Sequence, residues 1–230
     1  MIAETNEYTG TDNLEVMQEA VNYNAYLLNL VVRFARSTKN LIDFGAGIGT
    51  FAKVVEERGF QVHCIEPDSK QAERIKLAGF QVDLDITDLE TESCDFMYSF
   101  NVFEHIENDQ YVMRECFRVL KPGGKILIYV PAFSILYSSM DKKVGHIRRY
   151  RRDELKSKIE QAGFIVETSE YVDSLGFVAS LLFKWIGNDS GTLNRGSLIF
   201  YDRVVFPISR ALDYIFKYTL GKNTFVVARK

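Results

Sequence analysis

An α/β fold built on an open, doubly wound parallel sheet follows from three features of the sequence. β-rich and helical segments alternate from about residue 40 onwards. The stretch LIDFGAGIGTF (41–51) runs from an apolar segment through three alternate glycines into a helical pattern, and KPGG (121–124) stops a helix and opens the apolar run KILIYV (125–130). Alternation of this kind implies parallel strands joined by right-handed helical crossovers.

Taken in order, Leu14, Met17, Val21, Leu28, Val31 and Val32 recur at helical spacing and predict an amphipathic helix over 12–36. LIDF (41–44) reads as a strand followed by a helix over 49–58, and QVHCIE (61–66) as a strand followed by a helix over 68–77. QVDL (81–84) is a short strand and CDFMYSF (94–100) a longer, more apolar one. A helix over 108–120 ends where proline and paired glycines stop it, and KILIYV follows. Asp153 and Glu154 open a helix over 152–161, which leads to FIVETSEY (164–171); an apolar insertion then precedes NTFVVAR (223–229).

With no Pro/Gly/Ser-rich linker, the 230 residues read as one domain: a cap helix (12–37), a ligand-binding core (40–171), a helical insertion (172–218) and a last strand (222–230). Lys and Arg total 28 against 31 Asp and Glu, a balance that argues neither for disorder nor for a nucleic-acid partner. RRYRR (148–152) is one short cluster, suited to pairing with Asp153 and Glu154 or to binding one anionic group on a small ligand. Cys64, Cys94 and Cys116 are odd in number and far apart, as expected of buried reduced thiols in a cytoplasmic protein. The polar, acidic start MIAETNEYTG has no signal-peptide character, and LGFVASLLFKWI (175–186) is too short to cross a bilayer.

The glycine turn sets the ligand class. A dinucleotide fingerprint needs its third glycine where Thr50 stands. Asp43, two residues before Gly45, would repel a pyrophosphate but suits an ammonium, and Glu66 at the next strand end suits ribose hydroxyls. A ligand with a ribose and an amino-acid ammonium is S-adenosylmethionine. The rivals are a nicotinamide-dependent oxidoreductase, opposed by Thr50 and Asp43, and a non-catalytic module that only binds S-adenosylmethionine.

In order and spacing, LIDFGAGIGTF, CIEPD, DITDL, CDFMYSFNVFEHI and VLKPGGKILIYVP resemble the class I S-adenosylmethionine-dependent methyltransferases. The resemblance implies a Rossmann-like seven-stranded sheet with an antiparallel last strand. It also implies a cofactor site of Asp43, Gly45, Ala46, Gly47, Glu66 and Pro67, with Asp85 and Ile86 at the adenine and Asn101 and Val102 lining the pocket. Tyr23 and Tyr26 would either close over the cofactor or simply pack. No metal site is expected: Asn101 stands where ubiquinone-type O-methyltransferases carry an extra metal-binding acid.

Removing a proton from a hydroxyl or acidic carbon calls for a base near neutral pKa, which makes histidine the natural choice. His63 lies inside a predicted strand and is expected to have no chemical role. His105 follows the fourth strand and either shapes its loop or acts directly. His146 lies in YSSMDKKVGHIRRYRRDEL, a polar loop with Asp141, Arg148, Arg149 and Tyr150; it is expected to be base or orienter, with Arg149 and Tyr150 placing the acceptor. That stretch resembles a subset of the family acting on small molecules, among them glycolipid, polysaccharide and secondary-metabolite precursors. The expected acceptor is a small molecule or lipid or glycan precursor, methylated at oxygen ahead of nitrogen and carbon; the sequence does not give the oligomeric state.

In the insertion, Leu198, Tyr201, Val205, Ile208, Leu212 and Ile215 share one predicted helical face, while Asp202, Ser209, Arg210, Asp213 and Lys217 share the other. Pro207 is expected to kink this helix. Residues 172–218 are therefore expected to pack into the core, to form a lid over the acceptor, or to make peripheral membrane contact, with Asp202 and Asp213 diluting the attraction of the arginines for anionic headgroups.

Overall fold

A computed structural model describes residues 15–36, 38–186 and 194–230. Helix α1 (Val21–Ala35) leads into β1 (Asn40–Phe44), α2 (Thr50–Glu56), β2 (Gln61–Ile65), α3 (Ser69–Leu77), β3 (Gln81–Asp83) and β4 (Cys94–Phe100). Then come α4 (Asp109–Val119), β5 (Leu120–Pro131), α5 (Ser139–Val144), α6 (Arg152–Gln161) and β6 (Ile165–Val172). The chain closes with α7 (Ser174–Ile186), α8 (Arg195–Phe200), α9 (Phe206–Phe216) and β7 (Asn223–Arg229). The seven strands form one sheet in the order β3-β2-β1-β4-β5-β7-β6. β1 to β5 pair in parallel, and β7 enters antiparallel between β5 and β6. This is the Rossmann-like arrangement expected.

Alternate residues on the central strands feed two cores, one on each face of the sheet. Ile42, Met97, Ile126 and Ile128 pack with Val112, Met113 and Cys116 of α4. Their neighbours Leu41, Phe96, Tyr98, Leu127 and Tyr129 pack with Leu27 and Val31 of α1. Cys64, Cys94 and Cys116 are buried and unpaired, as the sequence implied. His63 lies on β2 and meets the Asp83 carboxylate at 2.7 Å.

Two expectations change. The helix drawn over 12–36 is shorter: residues 12–14 lie outside the described region, Glu15–Met17 form a separate turn, and α1 begins at Val21, which is exposed rather than packed. Its N-cap, Ala20, offers no side-chain acceptor. The carboxylate of Asp202, far along the chain, accepts from the Asn22 and Tyr23 backbone N–H groups instead, each at 2.9 Å. This is a helix cap delivered by tertiary structure.

The second change concerns the insertion, whose residues 187–193 lie outside the described region. The segment from α8 through α9 is helical, with a π-helical stretch at Tyr201–Val205 just before Pro207, where the kink was expected. The face turned inwards carries Asp202, Phe206, Ser209 and Asp213, all buried; of the six apolar residues expected to share the inner face, Ile208 and Ile215 are exposed and Leu198, Tyr201, Val205 and Leu212 are half-buried. The reason is capping. Asp213 accepts from Asp173 and Ser174 N–H (both 2.9 Å), and the Ser209 hydroxyl from Leu175 N–H (2.9 Å), closing the N-terminus of α7 as Asp202 closes that of α1. Among the described residues, no helix is long and apolar enough to cross a membrane.

Candidate active site

Parallel strands end at a common edge, and the crevice there is built from the loops that follow them. After β1, Gly45, Gly47 and Gly49 all take positive φ, so the turn reverses tightly into α2. Gly45 also touches β4's loop: a Cβ there would lie 2.3 Å from Val102 Cγ2. Ala46 N–H donates to Ile65 O (3.1 Å), which locks the turn to the end of β2.

Two carboxylates flank this turn. Asp43 is buried, one of its oxygens has no hydrogen-bond donor among the described residues, and burial pushes it up to about 7. A buried carboxylate with an open acceptor suits an ammonium, which would restore its charge. Glu66 accepts from Gly47 N–H (2.7 Å) and Asp68 N–H (3.0 Å), and burial pushes it, too, up to about 7. It thus ties the glycine turn to the Pro67–Asp68 corner, and its remaining lone pairs are suited to diol hydroxyls. Asp85 accepts from Thr87 N–H (2.9 Å), while Ile86 is buried in the core below it. Asn101, at positive φ, directs its amide towards the Tyr23 hydroxyl (3.4 Å), so α1 covers the end of β4. Tyr26 instead packs on Phe206 and beneath the Arg210 guanidinium. The two carboxylates suit the ammonium and the ribose hydroxyls of S-adenosylmethionine.

The loops after β4 and β5 converge beside this cradle. Asp141, fully buried, holds His146 Nδ1 at 2.7 Å and takes a two-point fork from Arg149, Nε at 2.8 Å and Nη2 at 3.0 Å. The Ser138 backbone N–H and hydroxyl also donate to it. Burial opposes its ionisation, but these partners hold Asp141 well below the usual carboxylate range. An anionic Asp141 fixes the proton on Nδ1, so His146 presents the Nε2 lone pair. That nitrogen lies 3.6 Å from Glu104, a wholly buried carboxyl with no donor among the described residues, which burial pushes up to about 8. The His105 ring stands edge-on to His146, centroids 4.8 Å apart, and burial lowers it to about 4. Glu104, His105 and His146 bring ligand atoms within 4.8 Å of one another, a set that could hold a divalent ion where none was expected.

Arg149 and Tyr150 stand differently from expectation. Arg149 is buried, with its guanidinium engaged by Asp141 and by Ala132 O (3.1 Å). Tyr150 is fully buried, its hydroxyl donating to Phe103 O or Asp109, at 3.0 and 2.8 Å. Both hold the loop that carries His146. Glu104 was legible only as part of EHI; its approach to His146, 42 positions away, comes from the parallel pairing of β4 and β5.

A family described as "Methyltransferase domain" matches residues 17–169, well over half of the chain. The chain belongs to the class I S-adenosylmethionine-dependent methyltransferases. It is 28% identical over 145 residues to a probable S-adenosylmethionine-dependent methyltransferase from Mycolicibacterium smegmatis, covering 60% of this chain and 54% of that one. It is 29% identical over 98 residues to the ubiquinone biosynthesis O-methyltransferase of Idiomarina loihiensis, covering 38% and 40%. The chain thus spans about half the length, or less, of these curated relatives. A solved phosphoethanolamine N-methyltransferase 2 from Haemonchus contortus, with S-adenosylhomocysteine and phosphomonomethylethanolamine bound, aligns with all of this chain and 60% of its own at a TM-score of 0.66. At 17% identity, that likeness concerns the fold. The nicotinamide alternative is not favoured by these matches.

Proposed function

We propose that this protein transfers a methyl group to a hydroxyl of a small molecule or of a lipid or glycan precursor, with His146 as general base. The observation that carries the reading is the Asp141–His146 hydrogen bond at 2.7 Å, with Asp141 itself fixed by Arg149 and Ser138. A neutral amine needs only alignment with the methyl donor, whereas a hydroxyl must lose its proton as it attacks. A histidine held in one tautomer by a buried aspartate is suited to the second task. Names among the relatives include both O- and N-methyltransferases, so the choice of oxygen rests on this dyad.

When bound, S-adenosylmethionine supplies an electrophilic methyl group. The chain's own residues would do the rest. Asp43 would take the ammonium, Glu66 the ribose, and the Gly45–Gly47 turn the close backbone contact, with Ala46, Pro67, Asp85, Ile86, Asn101 and Val102 completing the walls. His146 Nε2 would accept the acceptor's proton; Asp141 would stabilise the imidazolium, and Arg149 would hold Asp141 in place. Neutral His105 and Glu104 would shape the floor. Tyr150 and Arg149 are positioning residues in this reading, not acceptor ligands.

The test compares S-adenosylhomocysteine release across phenols, quinols, sugar alcohols and amines. His146→Gln should lower turnover of a hydroxyl acceptor by roughly 10²–10⁴ while cofactor affinity stays within a few-fold. Turnover of amines alone, with His146→Gln near wild type, would refute the assignment.

A further inference from the structure

The helical segment 194–218 presents a row of apolar side chains to solvent. Phe200 is 63% exposed, Val204 45%, Ile208 53% and Ile215 72%, at spacings of four, four and seven residues that align them along one side. Tyr214 and Tyr218, among the most exposed aromatics of the described residues, lie beside them, and α7 adds exposed Val178 and Leu182. Scattered apolar side chains are ordinary on a protein surface; an aligned row with its polar counterparts turned inwards is not.

The charge pattern bears on what would cover this face. In residues 174–186 and 194–218 the sequence holds two carboxylates, Asp202 and Asp213. Both are buried and engaged by the N–H groups of α1 and α7. The acids that would have diluted the arginines are therefore absent from the surface. Of the cations, Arg195 pairs with Glu19, Arg210 with Asp213 and Lys217 with Glu170. Among the described residues, Arg203, exposed next to Val204, has no ion pair, and the exposed Lys184 ammonium donates to the Ile135 carbonyl. A second copy docked face to face through these helices would set Arg203 against a face that, among the described residues of 174–186 and 194–218, holds no exposed carboxylate. An anionic lipid surface supplies phosphates for the cations, an apolar layer for the row, and an interface suited to tyrosine rings.

We propose that the α7–α9 face docks peripherally on an anionic bilayer. The helices lie on the surface, since none of the described ones is long enough to span it. α7 starts directly after β6, which ends at the same edge of the sheet as β5, so the docking face begins at the ligand edge. The inference is independent of which atom is methylated.

The experiment is co-sedimentation of the full chain with phosphatidylcholine vesicles, with and without phosphatidylglycerol, over a salt series. Wild type should bind the anionic vesicles preferentially and release with salt. Phe200→Glu/Ile208→Glu/Ile215→Glu should lower partitioning at least about tenfold while circular dichroism and S-adenosylhomocysteine affinity remain unchanged. Ile215→Glu alone gives the same direction with a smaller disturbance, and Arg203→Glu should remove the preference for anionic lipid. Failure of wild type to bind at low salt, binding retained in the triple variant, or a wild-type dimer that the triple variant dissolves would overturn the proposal.

Discussion

Replacing Asp202 by alanine tests whether the cap helix is held by a carboxylate donated from the other end of the chain. The carboxylate accepts from Asn22 N–H and Tyr23 N–H at 2.9 Å each, while the Asp202 carbonyl, which the substitution leaves in place, accepts from the Asn22 amide at 3.0 Å. Hydrogen bonds to a charged group contribute about 1.5–3 kcal/mol and N-caps about 0.5–2 kcal/mol. Asn22 is exposed, so water replaces its partner cheaply; Tyr23 is half-buried and loses more. The expected loss is about 2–3 kcal/mol, or a urea midpoint lower by about 1 M at an m-value near 3 kcal/mol/M. Asp213→Ala should cost more, because the N–H groups it strands belong to Asp173 and Ser174, both buried. Circular dichroism during urea titration reads both variants, and calorimetry with S-adenosylhomocysteine should show a few-fold loss for Asp202→Ala as Tyr23 shifts from Asn101. A loss under about 0.5 kcal/mol at Asp202, the range of an ordinary surface substitution, or a smaller effect at Asp213 than at Asp202, would refute the capping account.

Glu66→Ala should weaken cofactor binding by roughly 1.5–3 kcal/mol, since it removes both a charged acceptor and the tie between Gly47 and Asp68; calorimetry showing unchanged affinity would count against the assignment. Glu104 has a folded pKa near 8 against an ordinary value of 4.5, so the folded state binds the proton more tightly than the unfolded chain. Its contribution is present below about pH 4.5 and is lost as pH rises through 8, by at most about 1.4 kcal/mol per unit. Glu104→Gln, which cannot ionise, should therefore gain stability relative to wild type between those limits and level off above pH 8 in urea titrations; parallel pH profiles would show that Glu104 is not buried neutral.

Much of the fold was legible because its determinants are local. Alternation along β4 and β5, the glycines after β1 and the KPGG stop each act through neighbouring residues. β7 accordingly spans Asn223–Arg229, the residues marked as its strand. Part of the candidate site was legible for the same reason: Asp43 and Glu66 sit at strand ends by residue type and spacing, and Asp141 and His146 share one loop. Tertiary structure decided the rest. It engaged the Arg149 and Tyr150 side chains inside the protein, brought Glu104 to His146, and drew Asp202, Ser209 and Asp213 of the 194–218 segment inwards. Hydrophobic periodicity weighs only the transfer of side chains from water. It cannot register that Asp202 and Asp213 will meet helix N-termini about 180 and 40 residues away, whose unpaired N–H groups require an acceptor. Those N–H groups drew Asp202 and Asp213 inwards and left Phe200, Val204, Ile208 and Ile215 facing out.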